Sequence, residues 1–254
     1  MTVKSSGSLA FSEIQAEFGG SNPISLSEYY AGGANVPAGT TGINGAIPSS
    51  GAISVSKFYG SIKFTPVTNT FTSGSGNVTV PAGAQSVTIT VVGAGGSGGG
   101  SYTDMNSDYY SSGGGGGGAG YSRKTIAVAY GDWNGTIAYS VGSYEGQSST
   151  SSGTLAAGAI SITATGGSAG TSGTQYEAGS GGSGGSGSGG DINLNGSSGG
   201  SGGNGNSSGV GGGYGGGNGS IYGDVNSYGN GATGSSSPGG PNYADLGVII
   251  FAWT

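Results

Sequence analysis

Glycine fills 65 of the 254 positions, and it is gathered into runs at 93–100, 113–120, 179–190 and much of 196–219. No other feature limits the fold as strongly. Each glycine in a helix interior costs about 1 kcal/mol against alanine, so a helix-rich domain is excluded. Glycine tracts ordinarily serve as flexible linkers, because glycine loses the most entropy on ordering. These runs lie between strand-like segments, which would pin them at both ends. Glycine also lacks the side chain that keeps backbones apart. Collagen shows that left-handed helices of three residues per turn pack closely where glycine lines the contact, although a chain with 7 prolines is not collagen. The expectation is therefore a sandwich of polyglycine-II helices packed side by side, with glycine on several faces. Backbone N–H···O=C bonds between the helices would replace a hydrophobic core. A ten-residue run of this kind spans roughly 30 Å.

The segments between the runs read as mostly β or irregular structure. NVTV (77–80) and SVTITVV (86–92) flank the turn Pro81-Ala82-Gly83-Ala84. KTIAVAY (124–130) and TIAYSV (136–141) flank GDWNG, which predicts a hairpin. TLAAGAISITA (154–164) and DLGVIIFAWT (245–254) read as further strands. Alternation places Val87, Ile89 and Val91 on one face and Thr88 and Thr90 on the other. These flanking antiparallel strands would brace the glycine sandwich.

Residues 1–64 have a different texture and read as a separate small module, leaving 65–254 as the glycine-rich domain. ISLSEYYAG (24–32) returns as ISVSKFYGS (53–61), with LAFSEIQAEFGG (9–20) as a looser third copy. Ser12, Ser27 and Ser56 read as N-caps of three short helical turns, each closed by glycine. Glu13 and Glu28 then fall in first turns, where the helix dipole favours anions. Phe18, Tyr29, Tyr30, Phe58 and Tyr59 are expected to form a small core.

Charge and composition narrow the function. The chain has 5 basic and 11 acidic residues, with no basic cluster to neutralise phosphates, so nucleic acid is a poor partner. Lys4 is followed by polar residues rather than an apolar run, so no signal peptide is expected. The stretch 246–253 is too short to cross a bilayer, and no membrane insertion is expected. A chain of this kind is made in a cytoplasm. With no His and no Cys, the usual nucleophilic triads and zinc sites have no material. Ser54 and Lys57 fit S-x-x-K, but the accompanying elements are missing. Gly-x-Gly-x-x-Gly recurs through composition alone, without a P-loop Lys. Asp104-Met105-Asn106-Ser107-Asp108 opens like a calcium loop but has Tyr109 where glycine is required. Glu145, Glu177, Asp191 and Asp224 could offer a carboxylate pair for glycan hydrolysis, which needs a spacing of about 5–9.5 Å. No cofactor and no metal is expected, and the chain reads as non-enzymatic.

Between the glycine runs sit polar-aromatic islands: 101–110, 143–149, 174–178, 191–195, Tyr214 and 220–230. If the runs are antiparallel layers, the islands are their turns and gather at the ends. Tyr, Ser, Gly and Asn on a rigid scaffold is the composition of evolved recognition surfaces. The candidate contact residues are Tyr102, Asp104, Asp108, Tyr109, Tyr110, Tyr144, Tyr176, Tyr222, Asp224 and Tyr228. The bland alternative is that the islands are solvated turns.

Glycine runs alternating with such islands resemble the receptor-binding adhesins that cap the long tail fibres of T-even-like bacteriophages. The strings SEIQAEFGGSNPISLSEYY and ISVSKFYG are similar to a segment found in phage tail and fibre-associated proteins. The resemblance implies a glycine-helix sandwich in the phage tail of a virion assembled in the host cytoplasm. Its distal loops would bind a host outer-membrane protein or a surface glycan. Residues 1–64, which do not match the fibre-attachment domain of those adhesins, would contact other tail or fibre proteins. A passive virion part, either fibre joint or capsid decoration, is the alternative.

Overall fold

The computed structural model describes residues 2–104, 109–144, 146–206, 225, 228–236 and 241–254. Among these the chain is mostly β, with several antiparallel sheets and one α-helix.

The N-terminal region holds the three short helices that its repeat predicts. They are α1 (Phe11–Phe18) and two 3-10 turns, Leu26–Tyr29 and Val55–Phe58. The caps are not the predicted serines. Ser25 and Ser54 hold the extended cap positions, so Ser27 and Ser56 lie inside the first turn, with each Ser pair joined hydroxyl to hydroxyl at 2.7 Å. Ala10 precedes α1, and the Glu13 carboxylate accepts its N–H in place of a Ser12 cap. Only α1 ends directly on glycine, Gly19 at φ 86°. The two turns end on Tyr30 and Tyr59.

One aromatic from each copy of the repeat meets at the centre. Phe18 and Tyr29 both pack edge-on against Phe58, with ring centroids 6.1 Å apart. Tyr30 and Tyr59 are only half-buried, and their hydroxyls donate to the Gly51 and Gly7 carbonyls. The short hairpin β1 (Thr41–Gly42) and β2 (Gly45–Ala46) completes this region. Its apolar cluster draws only on residues 3–58.

A β-sandwich follows. The strands from here on are β3 (Val67–Phe71), β4 (Ser75–Thr79), β5 (Ser86–Val92), β6 (Tyr102–Asp104), β7 (Tyr109–Ser111), β8 (Tyr121–Ala127), β9 (Thr136–Ser140), β10 (Ser149–Leu155), β11 (Gly158–Ala164), β12 (Gly187–Ser188), β13 (Ile192–Leu194), β14 (Asn204–Asn206) and β15 (Val248–Trp253), of which β6, β7 and β14 form a separate three-stranded sheet. Two five-stranded sheets, β13-β8-β5-β15-β3 and β12-β11-β10-β9-β4, share one core. Val87, Ile89, Val91, Ile249, Phe251 and Trp253 from the first meet Ile137, Leu155, Ile160 and Ile162 from the second. The predicted alternation in β5 holds: Val87, Ile89 and Val91 face the core, and the Thr88 and Thr125 hydroxyls bond on the other side at 3.0 Å.

Two local readings need correction. KTIAVAY and TIAYSV are not a hairpin. β8 pairs with β5 and β9 pairs with β10 and β4, so the segment between them crosses from one sheet to the other. Asp132 fixes that corner, taking the Ala129 and Ala156 amides at 2.8 Å each. Trp133 anchors it through Nε1–H to the Ala84 carbonyl at 3.0 Å. The stretch 154–164 is not one strand but most of a hairpin, β10 to β11, with Gly158 at φ 139° in its turn.

The glycine runs are direct continuations of these strands. β5 continues into 93–100, β11 into 165–173 and β13 into 196–203. Run 112–120 leads into β8, 179–186 into β12 and 241–247 into β15. Residues 111–122 are all buried.

Around run 112–120 the bonding rotates with a period of three. The amides of Ser112, Gly115 and Gly118 donate to Gly203, Gly200 and Ser197. Those of Gly113, Gly116 and Ala119 donate to Ser235, Ala232 and Gly229. Those of Gly114, Gly117 and Gly120 donate to Thr171, Ser168 and Thr165. The same run accepts from Gly93, Gly96 and Gly99 on one side and from Gly179, Gly182 and Gly185 on another. It therefore has five neighbours, four antiparallel and one parallel (179–185). Runs 165–173, 229–236 and 241–247, which are poorer in glycine, belong to the same assembly.

The glycines here supply space. Within 93–100, 113–120 and 179–187 no glycine has positive φ. A Cβ built on Gly117 would lie 2.0 Å from the Ser183 carbonyl oxygen, and one on Gly184 would lie 1.9 Å from that of Gly196. Outward positions carry hydroxyls instead. Thr165, Ser168 and Thr171 recur every third residue, and their side-chain oxygens accept the Ser186, Ser183 and Ser180 amides at 2.7 Å each. The Thr165 and Ser168 hydroxyls donate in turn to the Ser186 and Ser183 carbonyls at 3.3 Å each.

Candidate binding surface at the distal end

The sandwich occupies one end of the glycine runs, so the turns at the other end are the natural place for a surface to be presented. Two of the islands, 101–110 and 174–178, come together there with the stretch 204–206 of a glycine run. β6 and β7 form a hairpin, with Tyr102 opposite Ser111, Thr103 opposite Tyr110 and Asp104 opposite Tyr109. β14 adds to the far edge of β7, with Asn204 opposite Ser111 and Asn206 opposite Tyr109. The turn 174–178 closes on itself through Thr174 N–H to the Glu177 carbonyl at 2.8 Å and Glu177 N–H to the Thr174 hydroxyl at 3.1 Å.

Side-chain bonds tie the turn to the small sheet. Ser111 Oγ donates to the Thr174 carbonyl, Gln175 Nε2 donates to Asp104 Oδ2 at 3.4 Å, and Asn204 Nδ2 donates to the Tyr176 carbonyl at 3.5 Å. Tyr176 stands 74% exposed, while Tyr102, Asp104 and Tyr110 are half-buried. Among the described residues the Thr103 hydroxyl is buried with no partner. Glu177, in the turn 174–178, is exposed.

The predicted contact residues therefore divide. Tyr102, Asp104, Tyr110, Tyr176 and the Tyr109 backbone gather at the distal end. Tyr144 does not: it lies on the flank, beside the first residues of run 93–100. Tyr228 packs against the apolar cluster of Val92, Ala119, Tyr121 and Val248 at the sandwich end, which its place immediately before Gly229 requires. Asp108, Tyr222 and Asp224 lie outside the described residues. Gln175 and Asn204, which join the islands, were missed because polar linkers carry no aromatic signal.

The other chemistries considered find little here. Asp191 sits at the sandwich end with its carboxylate on the Thr125 amide at 2.8 Å, so it and Glu177 occupy opposite ends of the glycine runs and do not form a pair. Glu145 lies outside the described residues, as does the stretch following Asp104 in the D-x-N-x-D sequence. Among the described residues no group of three or more His, Cys, Asp or Glu could hold a metal ion, and no helix is long and apolar enough to cross a membrane. No protein-family model matches the chain, and no curated protein matches it significantly in sequence.

Proposed function

We propose that this chain is a non-enzymatic receptor-binding protein of a bacteriophage tail, in which a polyglycine-II sandwich carries a recognition surface at its distal end. The supporting observation is the gathering of islands 101–110 and 174–178 with the stretch 204–206 of a glycine run into one surface at the end of a bonded, glycine-rich scaffold. The three-residue rotation of bonds around run 112–120 supports the polyglycine-II assignment, because a helix of three residues per turn presents its amides in three directions in succession. Tyrosine offers broad, rigid contact area with a hydroxyl, at low entropic cost. The receptor is a host outer-membrane protein or a surface glycan. Residues 1–64 mount the chain on other tail or fibre proteins, and the working location is the virion.

The test replaces Tyr102, Tyr110 and Tyr176 together by Ala in the whole protein. Interface energy concentrates in a few anchors, so adsorption of particles carrying the variant should fall by at least tenfold. The melting temperature should stay within about 6 °C of the parent, as for three substitutions worth up to ~0.5 kcal/mol each. Unchanged adsorption would give the lead to a passive structural part, either fibre joint or capsid decoration.

A further inference from the structure

A second feature lies on the flank, away from the distal surface. Among the described residues the large apolar side chains that stand exposed are few. Three of them, Tyr144 (73%), Tyr243 (85%) and Leu246 (44%), line one open cleft of about 470 Å³ together with Ser143 and Ala244. Small-ligand sites commonly span about 300–1,000 Å³.

Both walls are held by backbone bonds. Gly146 N–H donates to Gly95 O at 3.1 Å and Ala94 N–H to Gln147 O at 3.0 Å, fixing the wall that carries Tyr144. Gly95 N–H donates to Asp245 O and Gly229 N–H to Leu246 O, both at 2.9 Å, fixing the wall that carries Tyr243. Gly247 N–H to Gly142 O at 3.0 Å joins the two. Exposed rings on a pre-formed cleft mark an interaction site more often than chance, since tyrosines at such exposure keep apolar area in water at a cost.

The chemistry of the lining selects the ligand. Among the described residues no lining residue is charged, and the adjacent Asp245 carboxylate accepts from Asn230 Nδ2 at 2.7 Å, so the described walls match neither an anion nor a cation. The cleft is too open to strip water from a wholly apolar molecule, which needs most of its surface buried. A ligand with one C–H face and a hydroxyl rim suits tyrosine walls with water on one side. We infer that the Tyr144–Tyr243 cleft is a binding site for a neutral pyranose, distinct from the distal surface.

Isothermal titration of the whole protein with methyl glucoside, methyl galactoside, methyl mannoside and maltose tests this, with sialic acid as the anionic control. At least one neutral sugar should bind with a saturable isotherm, and sialic acid should not. Tyr144→Ala and Tyr243→Ala should each weaken that binding more than tenfold, while Tyr176→Ala at the distal end leaves it unchanged; a thermal melt checks that each variant is folded. Absence of binding by every neutral sugar overturns the inference, as does binding that survives both cleft substitutions. Loss through Tyr176→Ala would also overturn it and transfer the sugar to the distal surface.

Discussion

At the scale of single residues, whether a position is glycine depends on what faces it. Gly114 and Gly117 face the Ser180 and Ser183 carbonyls so closely that an added Cβ would lie 2.0 Å from the oxygen. Ser183 itself is exposed, although on Gly182 and Gly184 beside it an added Cβ would lie 1.9 Å from a carbonyl oxygen. Gly117→Ala should therefore destabilise by at least the ~1–3 kcal/mol seen for overpacked cores, because the obstacle is backbone and cannot change rotamer. Ser183→Ala should cost under about 1 kcal/mol. Paired thermal melts check the contrast, and equal shifts would contradict the close packing. A second residue reports on pH. The Ala10 amide, and then Lys4 at 2.7 Å, hold the Glu13 carboxyl below its ordinary 4.5. A depressed carboxyl contributes stability above its unfolded value and loses it as pH falls through the folded one. The stability gap between the parent and Glu13→Gln should therefore close on titration below pH 4.5, and a gap constant from neutral to acid pH would remove Glu13 as its source. Such roles were only partly legible in the sequence. The serines near α1 and the two 3-10 turns advertised helix starts, but Ser25 and Ser54, not Ser27 and Ser56, took the caps.

At the scale of elements, the sequence marked the glycine runs and the apolar strands and missed how they join. β5 and β8 were visible through alternation because each has one face in a hydrocarbon core. β10 was hidden because STSSGTL carries almost no apolar signal, its pairing with β9 and β11 being written in the backbone. Runs 165–173 and 229–236 were hidden for a related reason. Their outward positions carry Ser, Thr, Ala and Asn, which dilutes the glycine count without disturbing the inward ones. The crossing at GDWNG looked like a hairpin because turn residues report a reversal and not which sheet receives the next strand. The distal surface was legible in part, as the islands 101–110 and 174–178; the stretch 204–206 was hidden in a glycine run, and the meeting of all three depended on run lengths that only the folded chain sets. Hydrogen exchange tests the continuity of the elements. Amides 112–120 are each bonded and buried, so they should be protected as strongly as those of β5. Exchange at linker rates in that run would contradict it.

At the scale of the whole molecule, the apolar clusters separate by position in the chain. One draws only on residues 3–58 and the other two only on residues from 64 onward. These parts adjoin where Gly60 meets the Tyr130 ring, Gly39 meets Gln85 and Gly83 meets Ile62. A fragment from residue 65 should accordingly melt as cooperatively as the full chain, and loss of its cooperative transition would join the two parts into one folding unit. A different consequence follows from the carbonyl and amide groups that fill the centre of runs 93–100 and 112–120. Hydrating apolar surface raises heat capacity on unfolding, whereas hydrating peptide groups lowers it. A chain that buries so much peptide and so little hydrocarbon should unfold with a heat-capacity change below the ~12–15 cal/mol/K per residue of ordinary domains. Its stability curve would then be shallow, its resistance to cold greater, and its folding more a matter of enthalpy than of released water.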